Sequence, residues 1–415
     1  MKKRICKVLP LSLTCLLGLG GFVGVSLTTN HSEQVKEVKA DEAVSYIARS
    51  WENNKVIDTP SECSTYTVVD DSTTSWSDGW YVVSNYAYIS SRITVTGTVN
   101  LILCDNASLS ASNGIGVNPG NTLIIYGQSE DTGSLIASIS GSELDAAIGG
   151  NENNDNGTVV IHGGKVTATY SNGAGIGGGN HGDGGTITIY GGLVNSTGFS
   201  NAAGIGGGNE GAGGTVTIYG GLVNSTGSNN AAGIGGGNEG AGGTVSIYGG
   251  NVIAKGGNKG AGIGGGNEGA GGTVTISGGQ TKATGGTDAA GIGGGYNGAG
   301  ANVTITGGKV TANAGSSNAY GIGKGQNGSS QGLLSVNETE LVVYGGTTEK
   351  PTTIIEKVAG DYERFQYMKI KKVVSTVSYI SKSWDSENKV VVDAPMSCTT
   401  FEEMEIDTTS LSNGW

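Results

Sequence analysis

Several absences shape the reading of this 415-residue chain. No arginine occurs between Arg92 and Arg364, so more than half of the sequence carries no guanidinium group. Lys and Arg together number 23 against 35 Asp and Glu, and the resulting net charge of −12 excludes a general affinity for nucleic acid or anionic membranes. The three histidines have no Ser or Cys partner in a recognisable catalytic pattern, and His162 and His181 read as surface residues. No cysteines are spaced as zinc ligands. Beyond Val8–Val25, no apolar run is long enough to span a bilayer.

That one run follows Met1-Lys-Lys-Arg4 and precedes Val38-Lys39-Ala40, the order of a secretory signal with a cleavage site after Ala40. The alternative is a membrane anchor. Cleavage leaves Cys63, Cys104 and Cys398, and outside the cell a Cys63–Cys104 disulfide or two buried free thiols are both compatible with the sequence. A secreted or cell-surface protein is expected, monomeric and with no membrane span after cleavage.

What the chain has in excess is glycine, 79 residues, and the excess is periodic. Ile148, Ile176, Ile205, Ile234, Ile263, Ile292 and Ile322 recur every 28 to 30 residues within a repeat whose clearest copy spans 232–250. A fixed period of this length signals a solenoid, in which each repeat buries its apolar face only against its neighbours. Each period holds three short strand candidates, such as Thr215–Tyr219, Leu222–Ser225 and Ala231–Gly235. Alternation turns Val216, Ile218, Val223, Ser225, Ala232 and Ile234 inward. Three walls and three turns per period make one coil of an all-β, single-stranded parallel β-helix. This much Gly and Thr resists helix formation.

The glycines also mimic a nucleotide motif. Gly235-Gly-Gly-Asn-Glu-Gly240 fits G-x-G-x-x-G, but it recurs along the array and precedes a strand, where that motif needs a helix. Calcium-binding nonapeptide repeats need a recurring Asp; Asp183 gives way to Ala212, Ala241 and Ala270 in the following copies.

The expected organisation is a signal peptide (1–40), a head or cap (41–80), irregular first coils (81–144), the regular array (145–331), a terminal coil and linker (332–374) and a second head (375–415). The second head follows from a separate repeat. Val377-Ser-Tyr-Ile380 through Trp384 echoes Val44-Ser-Tyr-Ile47 through Trp51, and Cys398 to Trp415 repeats the spacing of Cys63 to Trp80. The reading is of a longer, multi-module protein cut inside its second module.

The Ala-Gly-Ile-Gly-Gly-Gly and Gly-Thr-Val-Thr-Ile-Tyr-Gly-Gly repeats, with Asn100–Asp105 and Thr122–Gln128, resemble pectate-lyase-like right-handed parallel β-helix proteins of Gram-positive bacteria. The resemblance covers roughly 44–372. It implies an extracellular protein that meets polysaccharide or a host surface, and it leaves activity open, because the superfamily holds lyases, hydrolases, sugar-binding modules and adhesins alike.

Stacked coils turn repeat positions into rows. Tyr190, Tyr219 and Tyr248, beside Thr188 and Thr217, offer ring faces and hydroxyls suited to a sugar, or else simply stack on one another. Ice binding fits the Thr-x-Thr row less well, since the tyrosines spoil a flat surface. Glu210, Glu239 and Glu268 follow Asn209, Asn238 and Asn267 in the turns, where stacked carboxylates splay apart or share a calcium ion and the asparagines form a ladder. Lyases of the resembled family rely on an aspartate cluster and an arginine base, and the array has no arginine. A hydrolase needs a fixed carboxylate pair, for which Asp183 near Glu210 and the Glu152–Asp155 turn are the candidates. Lys165, Lys255, Lys259, Lys282, Lys309 and Lys324 fall at different repeat positions. The expected function is non-catalytic binding of glycan or host matrix, with a polysaccharide lyase or hydrolase and a passive surface stalk as alternatives.

Overall fold

A computed structural model describes residues 42–139, 143–358, 361–372, 377–385 and 390–398. The expected signal peptide lies outside the described residues, as does the end of the expected second head. No helix among the described residues is long and apolar enough to cross a membrane.

The chain winds into a right-handed parallel β-solenoid with three sheets of ten, eleven and twelve strands. The three strands of one coil are Thr215–Ile218, Leu222–Thr226 and Ile234–Gly235, close to the expected spans. Successive anchors pair in register, Ile205 with Ile234 and Ile234 with Ile263, and form the ten-stranded anchor sheet. Thr215 pairs with Thr186 and Thr244 in the eleven-stranded threonine sheet. Leu222 pairs with Leu193 and Asn251 in the twelve-stranded sheet.

Val216, Ile218, Val223, Ala232 and Ile234 are fully buried, and Ser225 is buried with them because its hydroxyl donates to the Gly233 carbonyl at 2.6 Å. Burial of a Val or Ile side chain contributes about 1.5–3 kcal/mol, too little in one coil to order some thirty residues, so the coils fold only as a stack. Glycine is required at the close approaches. Gly206 has φ of 131°, and a Cβ there would lie 2.1 Å from the Gly235 carbonyl oxygen of the next coil.

The first strand to join the stack is Thr67–Val68, within the segment read as a head. Ile115 takes the anchor position between Ile93 and Ile148, as the Gly114-Ile-Gly116 sequence suggests. At the other end the chain reverses. Tyr367–Lys372 pairs antiparallel with both Lys309–Asn313 and Leu341–Gly346, closing the twelve-stranded sheet.

Two hairpins stand apart from the coil pattern. Val44–Glu52 pairs with Lys55–Cys63 around a tight Asn53–Asn54 turn, in which both residues have positive φ as the favoured two-residue hairpin turn requires. Its sequence copy forms the same nine-pair ladder, from Val377↔Cys398 to Asp385↔Val390.

Candidate functional site

The tyrosine row is longer and less open than the sequence suggests. Trp80, Tyr126, His162, Tyr190, Tyr219 and Tyr248 stack in one file, with centroids 4.7 to 5.4 Å apart and planes tilted 8° to 27°. The spacing is that of neighbouring strands, so the coil geometry itself sets the stacking distance. His162, read as a surface residue, instead fills the place of a ring in this file and is largely buried between Tyr126 and Tyr190. Its pKa falls to about 4, chiefly because burial penalises the imidazolium, with Arg49 adding repulsion. It is held neutral with Nδ1 accepting the Arg49 backbone N–H at 2.8 Å.

The N-terminal hairpin lies along this file. Tyr46 meets Trp80 and Tyr126 at 4.8 and 4.7 Å, and Trp51 meets Tyr219 and Tyr248 at 5.2 and 5.8 Å. Between them Arg49 donates to the His162 carbonyl and to Asp131 at 2.8 Å, and pairs with Asp58 at 3.0 Å. Burial works against its charge, but the hydrogen bonds to Asp131 and Asp58 outweigh it and the pKa rises. The glycine after each tyrosine leaves room for the hairpin. A Cβ on Gly191 would sit 2.8 Å from Arg49 Nη1, and one on Gly220 would sit 3.1 Å from Val56 Cγ2.

The aromatic file ends where the hairpin ends. Tyr190, Tyr219 and Tyr248 hydrogen-bond to the preceding coil through one repeat position, and in the next coils that position is Ser277 and then Thr306. Ring faces expected to meet a ligand therefore meet each other and the hairpin. The tyrosines stay half-exposed, as do Thr188 and Thr217, and beside them Thr186, Thr215, Thr244 and Thr273 form an exposed row.

In the turns, His181, Glu210, Glu239 and Glu268 all adopt φ between 60° and 64°. Sequence reading missed this left-handed position, although the Asn297 and Asn327 that continue the row favour such a conformation. Glu210 reaches back to His181 at 3.1 Å and Glu239 to Asn238 at 3.3 Å, while Asn267 bonds Asn238 in a short asparagine ladder. Among the described residues no three His, Cys, Asp or Glu side chains gather as a metal site.

Of the carboxylates weighed for hydrolysis, Asp155 and Asp183 hold backbone. Asp155 accepts the Asp183 N–H at 2.8 Å, and Asp183 accepts the Ala212 N–H at 2.7 Å, each stapling one coil to the next. Cys63 and Cys104 share a small cluster with Tyr66, Val82, Ile102 and Tyr126, and both are free thiols. Burial raises the pKa of both, to about 11 for Cys104.

The model of the beta helix repeat family matches this chain at residues 159–180, 187–209, 216–238, 245–267, 274–296 and 303–323. No curated protein and no solved structure matches the chain significantly.

Proposed function

We propose that this protein is a secreted or cell-surface solenoid that binds carbohydrate or host matrix without cleaving it. The observation that carries the reading is the exposed Thr186, Thr215, Thr244 and Thr273 row, flanked by the half-exposed Thr188, Thr217, Ser246 and Thr275. Hydroxyl groups repeated at strand spacing present donors and acceptors to a long polymer, not a pocket to a small molecule. The tyrosines contribute ring edges and hydroxyl groups along the border of this stripe, their faces being already covered.

The test follows from that division of labour. Replacing Thr186, Thr215 and Thr244 by Val keeps the β-branched shape and removes the hydroxyls. Glycan-array binding should fall while thermal unfolding stays unchanged. Undiminished binding by the triple variant would reject the stripe.

A further inference from the structure

Two lysines from different positions of the repeat and two from the terminal segment come together at the end of the twelve-stranded sheet. A groove of about 300 Å³ there is lined, among the described residues, by Lys282, Lys309, Lys350 and Lys369 and by the carboxylate of Glu349. Strand pairing sets their arrangement. Lys282 pairs with Thr311, and Thr311 pairs across the antiparallel junction with Lys369, so the two ammonium-bearing residues are two strands apart. At ordinary strand spacing their backbones stand roughly 10 Å apart. Lys309 pairs with Gln280, and Gln280 with Asn251, adding a parallel row of amides to the same groove. Asn313 also lines it, 6% exposed, with its Oδ1 meeting no protein donor.

We infer that this groove binds a polymer bearing sulfate or phosphate esters on a hydroxylated backbone. The chain as a whole is acidic at −12, so four lysines in one concavity are a local reversal of sign. Among the described residues no arginine lines the groove. A guanidinium fork pairs bidentately with carboxylate and phosphate alike, whereas ammonium groups act as point charges that take a tetrahedral oxyanion in any orientation. The amides of Asn251, Gln280 and Asn313 supply donors and acceptors for the hydroxyls between the charges. The site lies on a different sheet from the threonine stripe and does not depend on it.

The test is isothermal titration of the full chain with four polymers: a sulfated glycan, poly(glycerol phosphate), polygalacturonate and neutral dextran. Binding of the sulfated glycan, of poly(glycerol phosphate) or of both is expected, and which of them binds identifies the source of the ester. Polygalacturonate should bind at least about tenfold more weakly and dextran not at all. Lys282→Gln with Lys350→Gln removes two charges while keeping unbranched polar side chains and should weaken binding about tenfold or more. Raising salt from about 0.05 M to about 0.5 M should largely abolish it, because exposed charges are screened. Thermal unfolding of the double variant, unchanged, separates loss of the site from loss of the fold. Failure of both ester polymers, equal or tighter binding of polygalacturonate, or an unaffected double variant would overturn the assignment.

Discussion

Trp51 rests on Tyr219 and Tyr248, its ring centroid 5.2 and 5.8 Å from theirs, although nearly two hundred residues separate it from the second of them. Together with Tyr46 at the other end, it ties the N-terminal hairpin along six stacked rings. Aromatic pairs contribute about 0.5–1.5 kcal/mol each beyond the area they bury. Trp51→Ala should therefore weaken hairpin docking by about 2 kcal/mol. Hydrogen exchange would show faster exchange in Val44–Cys63, with the coil amides still protected. Equal protection in the variant would mean that Trp51 does not hold the hairpin.

Protonation of His162 should release the same element. Its pKa lies near 4 in the docked state against an ordinary 6.5, so the docked state disfavours the proton. The stabilisation is complete above pH 6.5 and is lost as pH falls toward 4, by up to about 3 kcal/mol. The groups facing the ring are Arg49, Tyr126 and Tyr190. Limited proteolysis of the hairpin between pH 7 and pH 4 should accelerate in the wild type. In His162→Phe, which keeps a flat ring and cannot titrate, the acceleration should be blunted.

A methyl group at Gly206 has no space, since its Cβ would lie 2.1 Å from a backbone oxygen at a φ that side chains avoid. Gly206→Ala should cost about 3 kcal/mol or more, read as a lowered unfolding midpoint. Glu239 is the opposite case. At φ 60° and on an exposed turn, Glu239→Gly should raise stability by about 1 kcal/mol by removing the Cβ strain.

The same turns bear on calcium. Glu210 is engaged with His181 and Glu239 with Asn238, so a chelator should leave the unfolding midpoint unchanged. A midpoint that rises with added calcium, and does so less in Glu239→Gln, would instead support the shared-cation reading of Glu210, Glu239 and Glu268.

The coil was legible because its signal is local and repeated: the Ile234 anchor, the Val216 and Ile218 alternation and the glycine corners recur until chance is no longer an explanation. The hairpin was not, because Arg49 and His162 bond across 113 residues and each occurs once. Periodicity reports rows, so it found Tyr190, Tyr219 and Tyr248, but it says nothing of what covers them. His162 was misjudged for a related reason, since it replaces a tyrosine in the file and breaks the letter of the repeat. The lysine groove depends on an antiparallel return that places Lys369 beside Thr311, which no repeat position encodes.

Binding and the lack of cleavage can be measured in one experiment. The chain is incubated with a panel of neutral and acidic polysaccharides, and each mixture is divided between a co-sedimentation assay and an assay for new reducing ends and unsaturated products. Retention of at least one polymer with its length unchanged is expected. Release of new chain ends in proportion to protein and time would contradict it.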